Sequence, residues 1–313
     1  MTAIHTRLLS ATGALWLALA FGAATPAAAQ QAARTDAVEQ RPVQAGTGYS
    51  LQSTVLGDRR EINVWVPADY ATSKQSYTTL YLLDGALDQD FGHVAGLAQL
   101  ASLSWTFGPF IVVGIQTKVR MTELTSPPAD ARYRAAFPQS GGAARFRRFL
   151  EQEVIPFVGQ RYRTGSRRAL MGESLAGLFV VDTLLNRPDL FNDYVAISPS
   201  LWWDDRRPMR SAADTVARHD LSGRHLYLAL ADEGGTMQNG VDMLRAALAR
   251  HAPPDFRIRY SDRSAAATHA TVYHGAAEEA LRWLYPAPPY NAGPTPWYMI
   301  EGASPPAAQP PAR

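Results

Sequence analysis

Gly172-Glu173-Ser174-Leu175-Ala176-Gly177 is the most informative segment of this sequence for the fold. A short apolar run at residues 169–171 precedes it, and an apolar run compatible with a helix follows at residues 178–185. A serine between small residues at a strand-to-helix turn is typical of a nucleophile elbow, in which the serine backbone carries about 1–3 kcal/mol of strain. The pattern therefore predicts a strand, a sharp turn with Ser174 at its apex, and a helix.

The composition is that of an ordinary globular protein. The chain has 313 residues, 46% of them hydrophobic, which is enough for one large domain. It contains no cysteine, and this excludes disulfides, thiol catalysis, cysteine-ligated metals and a lipid-modified N-terminal cysteine. The net charge is +2 and the Arg and Lys residues are scattered, so the sequence indicates neither a nucleic-acid partner nor an anionic membrane surface as partner.

The N-terminal residues have the features of a secretory signal peptide. Arg7 precedes an apolar run over residues 8–24, and the segment ends in Ala27-Ala28-Ala29. A membrane anchor is the alternative, but the apolar run is short and is interrupted by polar residues and glycine. We predict a signal peptide at residues 1–29, a periplasmic or secreted protein, and no stable membrane insertion after cleavage.

Composition divides the remaining chain into three segments. Residues 30–47 are small and polar and predict a flexible lead-in, and residues 48–285 predict the folded domain. Residues 286–313 hold nine of the 22 prolines and show no periodicity, which predicts a loose Pro- and Ala-rich tail. Within this tail, the segment at residues 297–300 is expected to dock on the domain.

Strand and helix patterns alternate along the predicted domain. Apolar or alternating runs predict strands at residues 49–56, 62–66, 80–83, 110–115, 169–171, 194–197, 226–231 and 256–260. Apolar residues at three- and four-residue steps predict helices at 144–158, 178–185, 241–248 and 276–284. This alternation predicts an α/β fold with a mostly parallel sheet covered by helices on both faces. A short turn at residues 58–60, between the first two strands, predicts an antiparallel N-terminal edge.

Residues with catalytic chemistry follow several of these strands, where the functional residues of an open parallel sheet gather. Ser174 comes first, Asp232 and Glu233 follow the strand at 226–231, and His269 lies just before the last helix. Serine, acid, histidine is the order in which α/β-hydrolases carry their triad. The histidine would take the serine proton, and the acid would orient the imidazole.

Two members of this predicted triad have competitors. His274 is five residues beyond His269 and nearer the helix start, so we expect it to line or cap the site rather than act as the base. The Gly234-Gly235 turn lets either Glu233 or Asp232 point inward, and we favour Glu233. A Ser–His dyad without an acid is the remaining alternative.

The oxyanion that forms during acyl transfer needs N–H donors. Leu175 follows the serine, and its backbone N–H would be one donor. A second N–H is expected from the loop at Ala86, which follows the strand at 80–83. The sequence contains no H-E-x-x-H motif, no closely spaced His/Asp cluster and no glycine-rich phosphate loop, so we predict no metal and no cofactor.

Candidates for a substrate pocket lie outside the triad. The segment at residues 120–142 is long for a connection in a compact domain, which is typical of a lid or binding loop. With Trp202 and Trp203 it is expected to line an acyl or aromatic pocket, and core packing of the two tryptophans is the alternative. Arg120 either pairs with Glu123 or meets an anionic substrate, and both interpretations stay open.

Four motifs occur together in this chain: Tyr81-Leu82-Leu83-Asp84-Gly85, the Ser174 elbow, Ser198-Pro199-Ser200-Leu201-Trp202-Trp203, and Thr268-His269-Ala270-Thr271-Val272-Tyr273-His274. As a set, over residues 49–284, they resemble the putative-esterase family of α/β-hydrolases. That family includes siderophore esterases of the enterobactin type, S-formylglutathione hydrolase and the mycolyltransferase antigens. The resemblance covers nearly the whole predicted domain, and it is specific to the family but not to one substrate.

The resemblance implies a role for each matching residue. Ser174 would be the nucleophile, His269 the base, and Ala86 and Leu175 the oxyanion donors. Two positions depart from the family pattern: Glu173 stands where His is common, and alanine stands at the second elbow glycine.

These patterns predict an exported serine carboxylic-ester hydrolase that works through an acyl-enzyme intermediate. A siderophore ester and a small acyl ester are both plausible small-molecule substrates. An acyltransferase on the same fold, which would pass the acyl group to a sugar hydroxyl, is the first alternative. A non-catalytic binding module is the alternative from another class, and the intact serine and histidine argue against it.

Overall fold

A mixed eight-stranded sheet, in the order β1-β2-β4-β3-β5-β6-β7-β8, forms the centre of the protein. In this computed structural model, which describes residues 39–287, 289 and 293–305, the strands are β1 Thr47–Gln52, β2 Arg59–Trp65, β3 Tyr77–Leu82, β4 Phe110–Ile115, β5 Thr164–Glu173, β6 Asp193–Ile197, β7 His225–Leu230 and β8 Arg257–Asp262. The β1–β2 and β2–β4 pairs are antiparallel, and the other five pairs are parallel. The predicted mostly parallel sheet with an antiparallel N-terminal edge is confirmed.

Helices connect these strands and cover both faces of the sheet. They are α1 Phe91–Ser104, α2 Arg120–Glu123, α3 Ala131–Ala136, α4 Ala143–Phe149, α5 Ile155–Arg161, α6 Leu175–Asn186, α7 Arg207–Arg210, α8 Ala212–Arg218, α9 Gly235–His251 and α10 Val272–Leu284, with 3₁₀ turns at Trp203–Arg206 and Trp297–Met299. Apolar residues of α1 and α10 form one buried cluster against the sheet, and those of α4, α6, α8 and α9 form the other. Each face of the sheet therefore has its own core.

Several predicted boundaries differ from the structure. Strand β4 has the predicted bounds, whereas β5 is much longer than the run at 169–171, and β2 begins at Arg59, inside the predicted turn. The helix predicted at 144–158 contains a π-helical turn, Leu150–Val154, which links α4 to α5. Pro156, which has no N–H to donate, lies at the start of α5.

A close approach of two glycines positions the loop after β3. A Cβ atom on Gly85 would lie 2.3 Å from the Cα atom of Gly114 in β4, so only glycine fits there. The N–H of Gly85 also donates to the carbonyl of Ile115 at 2.8 Å. Asp84 and Ala86 are thereby held at the carboxyl end of the sheet.

Most of the predicted signal peptide and lead-in cannot be compared with the structure, because residues 1–38 lie outside the described residues. In the part of the chain that is described, no helix is both long and apolar enough to cross a membrane. Near the C-terminus, the Trp297–Met299 turn carries partly exposed side chains, with Trp297 40% and Tyr298 67% exposed. The docking of this segment stays a prediction.

Candidate active site

Ser174 lies at the apex of the turn between β5 and α6. Its φ of 59° and ψ of −118° belong to a strained region for a residue with a side chain. The strain is held by backbone hydrogen bonds: the Ser174 N–H donates to Ile197 at 3.0 Å, and the Ser200 N–H donates to the Ser174 carbonyl at 3.0 Å. The turn therefore presents the Ser174 side chain at the carboxyl end of the sheet.

Small residues on each side make this turn possible. A Cβ atom on Gly172 would lie 2.6 Å from the Cβ atom of Ala176, and one on Gly177 would lie 3.0 Å from the carbonyl oxygen of Ile197. Ala176 is fully buried, so the turn accommodates one methyl group at the position where the related pattern has glycine.

His269 and Glu233 form a hydrogen-bonded pair near the elbow. The imidazole Nδ1 lies 2.6 Å from Oε1 of Glu233, which follows β7. Burial raises the pKa of Glu233, but the Ser198 hydroxyl and the His269 imidazole outweigh this effect and lower it below its usual value. Asp232, the other candidate acid, is exposed. An ionised Glu233 accepts the Nδ1 proton of His269, and this leaves Nε2 as the basic nitrogen.

The competing histidine, His274, has a different partner. Its Nδ1 lies 2.7 Å from Nε2 of His93 on α1, and it makes no hydrogen bond with Ser174 within the described residues. Burial, followed by the charge of His274, lowers the pKa of His93 to about 4. The structure thus joins His269, and not His274, to a carboxylate.

The Ser174 hydroxyl lies 3.3 Å from the Ser200 hydroxyl. In the described part of the chain it makes no hydrogen bond with His269, which is close enough to the elbow to act on Glu173: burial raises the pKa of Glu173, and the charge of His269 opposes this rise. Catalytic hydrogen bonds in ligand-free sites are often long and tighten when substrate binds. The structure therefore brings Ser174, His269 and Glu233 to one edge of the sheet, but no hydrogen bond joins the Ser174 and His269 side chains.

Ser198 and Ser200 contact the site although the sequence patterns assigned them no role. Ser200 is only 3% exposed and contacts the Ser174 hydroxyl, while the Ser198 hydroxyl accepts a hydrogen bond from the N–H of Ala231 at 3.2 Å and lies beside Glu233. Their motif follows β6, the neighbour of β5 in the sheet. A pair of serines directly after a buried strand is the signal in the sequence that could have pointed to them.

The two expected oxyanion donors differ in their present partners. The N–H of Leu175 makes no hydrogen bond within the described residues, as expected at the first turn of a helix. The N–H of Ala86 donates to Oε1 of the Gln89 side chain at 3.1 Å. Nε2 of that side chain donates in turn to the Thr117 carbonyl at 2.7 Å. An oxyanion would have to displace Gln89 to reach Ala86.

Arg120 does not pair with Glu123. Its Nε donates to Oδ2 of Asp84 at 3.0 Å, and its Nη2 donates to the backbone carbonyl of Glu173 at 3.2 Å. Glu123 instead accepts a hydrogen bond from the buried Arg60 at 2.6 Å. Of the two interpretations of Arg120, the pair with Glu123 is wrong, because the buried Arg60 guanidinium binds the Glu123 carboxylate.

The two tryptophans have different environments. Trp203 is fully buried, and its Nε1 donates to the Ser126 carbonyl at 3.0 Å, so it belongs to the core. Trp202 is partly exposed, and its ring centroid lies 6.3 Å from those of Tyr133 and Phe137 in the 120–142 segment. Of the pair, only Trp202 has surface available to a substrate.

The described residues contain no metal-binding cluster. No group of three or more His, Asp or Glu side chains there has the geometry to hold a metal ion.

The sheet order, the elbow between β5 and α6, and the carboxylate–histidine pair after β7 define an α/β-hydrolase fold. Residues 53–280 match the model of the family described as Putative esterase, and the chain belongs to that family. The crystal structure of an IroE-like serine hydrolase from Shewanella oneidensis is similar, with a TM-score of 0.65 and 29% identity over 77% of this chain and 80% of that one.

Two relatives of this chain are named as esterases of siderophores. The siderophore enterobactin esterase of Emericella nidulans is 38% identical over 210 residues, which are 59% of this chain and 68% of that protein. The ferri-bacillibactin esterase BesA of Bacillus subtilis is 34% identical over 109 residues, which are 31% of this chain and 38% of that protein.

Proposed function

We propose that this protein is a serine carboxylic-ester hydrolase that works through an acyl-enzyme intermediate. The observation that carries the proposal is the strained elbow at Ser174 beside the hydrogen-bonded His269–Glu233 pair. Strain of this kind persists where the surrounding structure holds a functional group in place.

In the proposed first step, the Ser174 hydroxyl attacks the ester carbonyl while Nε2 of His269 takes its proton. Glu233 holds the imidazole in the required tautomer and stabilises the imidazolium. The tetrahedral oxyanion accepts a hydrogen bond from the free N–H of Leu175. It accepts a second one from the N–H of Ala86 after the Gln89 side chain has moved away from that N–H. Removal of one such donor typically costs about 3–4 kcal/mol of transition-state stabilisation.

The imidazolium then returns its proton to the departing alkoxide, and the alcohol leaves the acyl-enzyme. Water, deprotonated by His269, attacks the acyl carbonyl and releases the acid and the free Ser174 hydroxyl. The named activities of the relatives support siderophore esters as substrates, and small acyl esters fit the same chemistry. Trp202, with the 120–142 segment, would line the acyl pocket.

The test is turnover of p-nitrophenyl butyrate by wild-type protein and by Ser174→Ala and His269→Ala variants. Either substitution is expected to lower kcat by at least about 10³-fold without changing the melting temperature. Turnover that survives in Ser174→Ala would remove the proposal. Addition of an acceptor alcohol, with product analysis, separates hydrolysis from transfer.

We also propose that the protein is exported to the periplasm or medium, because residues 1–29 have the pattern of a signal peptide. N-terminal sequencing of protein from the native cell envelope or medium is expected to begin after Ala29. Protein that retains residues 1–29 would contradict export with cleavage.

A further inference from the structure

Three carboxylates beside the nucleophile have no part in the proposed catalytic steps. Asp84 follows β3, Asp90 precedes α1, and Glu173 directly precedes Ser174. The N–H of Asp90 donates to the carbonyl of Asp84 at 2.7 Å, and Arg120 bridges the Asp84 carboxylate and the Glu173 carbonyl, so the three residues lie together. Burial, followed by the charge of Asp84, raises the pKa of Asp90 to about 6. We call Asp84, Asp90 and Glu173 the carboxyl cluster.

Arg120 compensates only part of the charge of this cluster. It donates one hydrogen bond to Asp84, and its other donated bond goes to the backbone carbonyl of Glu173 rather than to the carboxylate. Within the described residues, the carboxylates of Glu173 and Asp90 make no hydrogen bond and no ion pair. The guanidinium is already engaged, and this argues against its use by an anionic substrate.

Buried polar atoms in and beside the cluster have no partner. These atoms are Oδ1 of Asp84, Oε1 of Glu173 and the hydroxyl of Tyr273. Asp84 and Tyr273 are each 7% exposed, and the Tyr273 hydroxyl interacts electrostatically with all three carboxylates. Because buried polar groups are nearly always hydrogen-bonded, such a set indicates a missing partner. Two of the three atoms are carboxylate oxygens, which only accept when ionised, so a partner for them supplies N–H or O–H groups.

The ionisation of Glu173 reflects the same crowding. Burial, followed by the charges of Asp90 and Asp84, raises its pKa to about 7, while His269 and Arg120 act in the opposite direction. The group is therefore protonated below neutral pH and negatively charged above it. A bound cation would stabilise the ionised form.

We propose that the carboxyl cluster is a subsite that selects esters carrying an ammonium group, or another cationic hydrogen-bond donor, with Glu173 as the specificity-determining residue. This inference rests on the proposed esterase function. The ligand's N–H groups would satisfy the unpartnered oxygens, and its charge would offset the carboxylates that Arg120 leaves uncompensated. Esters that carry a carboxylate at the same position would be repelled.

The test compares esters that differ only at one end. Ethyl 6-aminohexanoate, ethyl heptanoate and monoethyl adipate vary the acyl side, and 6-aminohexyl butyrate with heptyl butyrate varies the alcohol side. Values of kcat/KM are measured at low ionic strength, where charge effects are least screened. The proteins are wild type, Glu173→Gln and Asp90→Asn, with Glu278→Gln as control because this exposed residue on α10 pairs with Arg282.

The ratio of kcat/KM for the ammonium ester to that for its neutral counterpart is the readout. At about pH 8.5, this ratio is expected to be about tenfold higher in wild-type protein than in Glu173→Gln, for either the acyl-side or the alcohol-side esters. At about pH 5.5, where Glu173 is protonated, the ratios of the two proteins should be equal. Glu278→Gln should behave as wild type. Asp90→Asn should lower the ratio in the same direction, which keeps the test decisive if Glu173→Gln does not fold.

Two results would overturn the subsite. One is a ratio that is unchanged in Glu173→Gln and Asp90→Asn, and the other is a wild-type preference for the carboxylate ester. Both leave Ser174-dependent hydrolysis of neutral esters intact, so the proposed function would stand. Loss of turnover of every ester, neutral ones included, in wild-type protein would instead overturn the proposed function and this inference with it.

Discussion

The Nδ1 atom of His269 lies 2.6 Å from Oε1 of Glu233, two side chains that are 36 residues apart in the chain. The pair joins the loop after β7 to the loop before α10, and it leaves the adjacent Asp232 exposed. The histidine is thereby held with Nε2 as its basic nitrogen, as a proton acceptor for serine requires.

Glu233→Gln is expected to lower kcat/KM for p-nitrophenyl butyrate by about 10²–10⁴-fold, because the amide no longer stabilises the imidazolium or fixes its tautomer. Asp232→Asn is the matched control and should retain activity within about twofold, as expected for an exposed side chain. Steady-state kinetics on both variants provide the measurement. Equal losses in the two variants would contradict the assignment.

Ser200→Ala removes the hydroxyl that lies 3.3 Å from that of Ser174, the proposed nucleophile. The loss of one neutral hydrogen bond of about 1 kcal/mol corresponds to a drop of about fivefold in kcat, with KM unchanged. The rate of labelling by a fluorophosphonate probe should fall in parallel. An effect on KM alone would mean that Ser200 contacts the substrate instead of the nucleophile.

Trp203→Ala and Trp202→Ala should separate a core residue from a pocket residue. Trp203 is fully buried, so its truncation should reduce the free energy of unfolding by about 3–5 kcal/mol. Trp202→Ala should leave stability much closer to wild type and raise KM for aromatic esters. Denaturant unfolding and steady-state kinetics measure the two effects, and the reverse pattern would show that the residues are wrongly assigned.

Glu279 on α10 should make stability depend on acid pH. Burial raises its pKa, but hydrogen bonds from Ser261, Arg263 and other neighbours outweigh this and lower it to about 2. The pKa of Glu279 is thus lower in the folded than in the unfolded protein. Ionised Glu279 therefore stabilises the fold at pH values above its unfolded-state pKa of about 4.5, and this contribution is lost as the pH falls towards about 2.

The melting temperature of wild-type protein should therefore exceed that of Glu279→Gln near neutral pH. The difference should shrink steadily as the pH falls from about 5 to about 2. Glu278→Gln, which removes an exposed carboxylate from the same helix, serves as the control for net charge. A difference between wild type and Glu279→Gln that is independent of pH would contradict the assigned contribution.

The sheet was predictable where strands are short, apolar and fully buried. The run at Phe110–Ile115 is buried at every position, so its boundaries could be read directly from the sequence. Helix α1 had no comparable signal, because three of its five buried residues are alanines at 95, 98 and 101. Small side chains give weak hydrophobic periodicity, and the packing that buries them is tertiary.

The candidate site was likewise predictable only in part. Ser174 and His269 could be proposed from local motifs and chain order, whereas the choice of Glu233 over Asp232 required coordinates. The partners of Arg120 could not be predicted either, because it contacts Asp84, 36 residues away in the chain. Side-chain pairing between distant loops depends on how the sheet brings strand ends together.

The most direct test of the central claim is to map the covalent adduct of a fluorophosphonate probe by peptide mass spectrometry. The proposed acyl-enzyme mechanism predicts a single adduct on Ser174, formed with loss of esterase activity in proportion to labelling, and no adduct in Ser174→Ala. Labelling at another residue that removes the activity, or wild-type protein that hydrolyses esters without ever being labelled at Ser174, would contradict it.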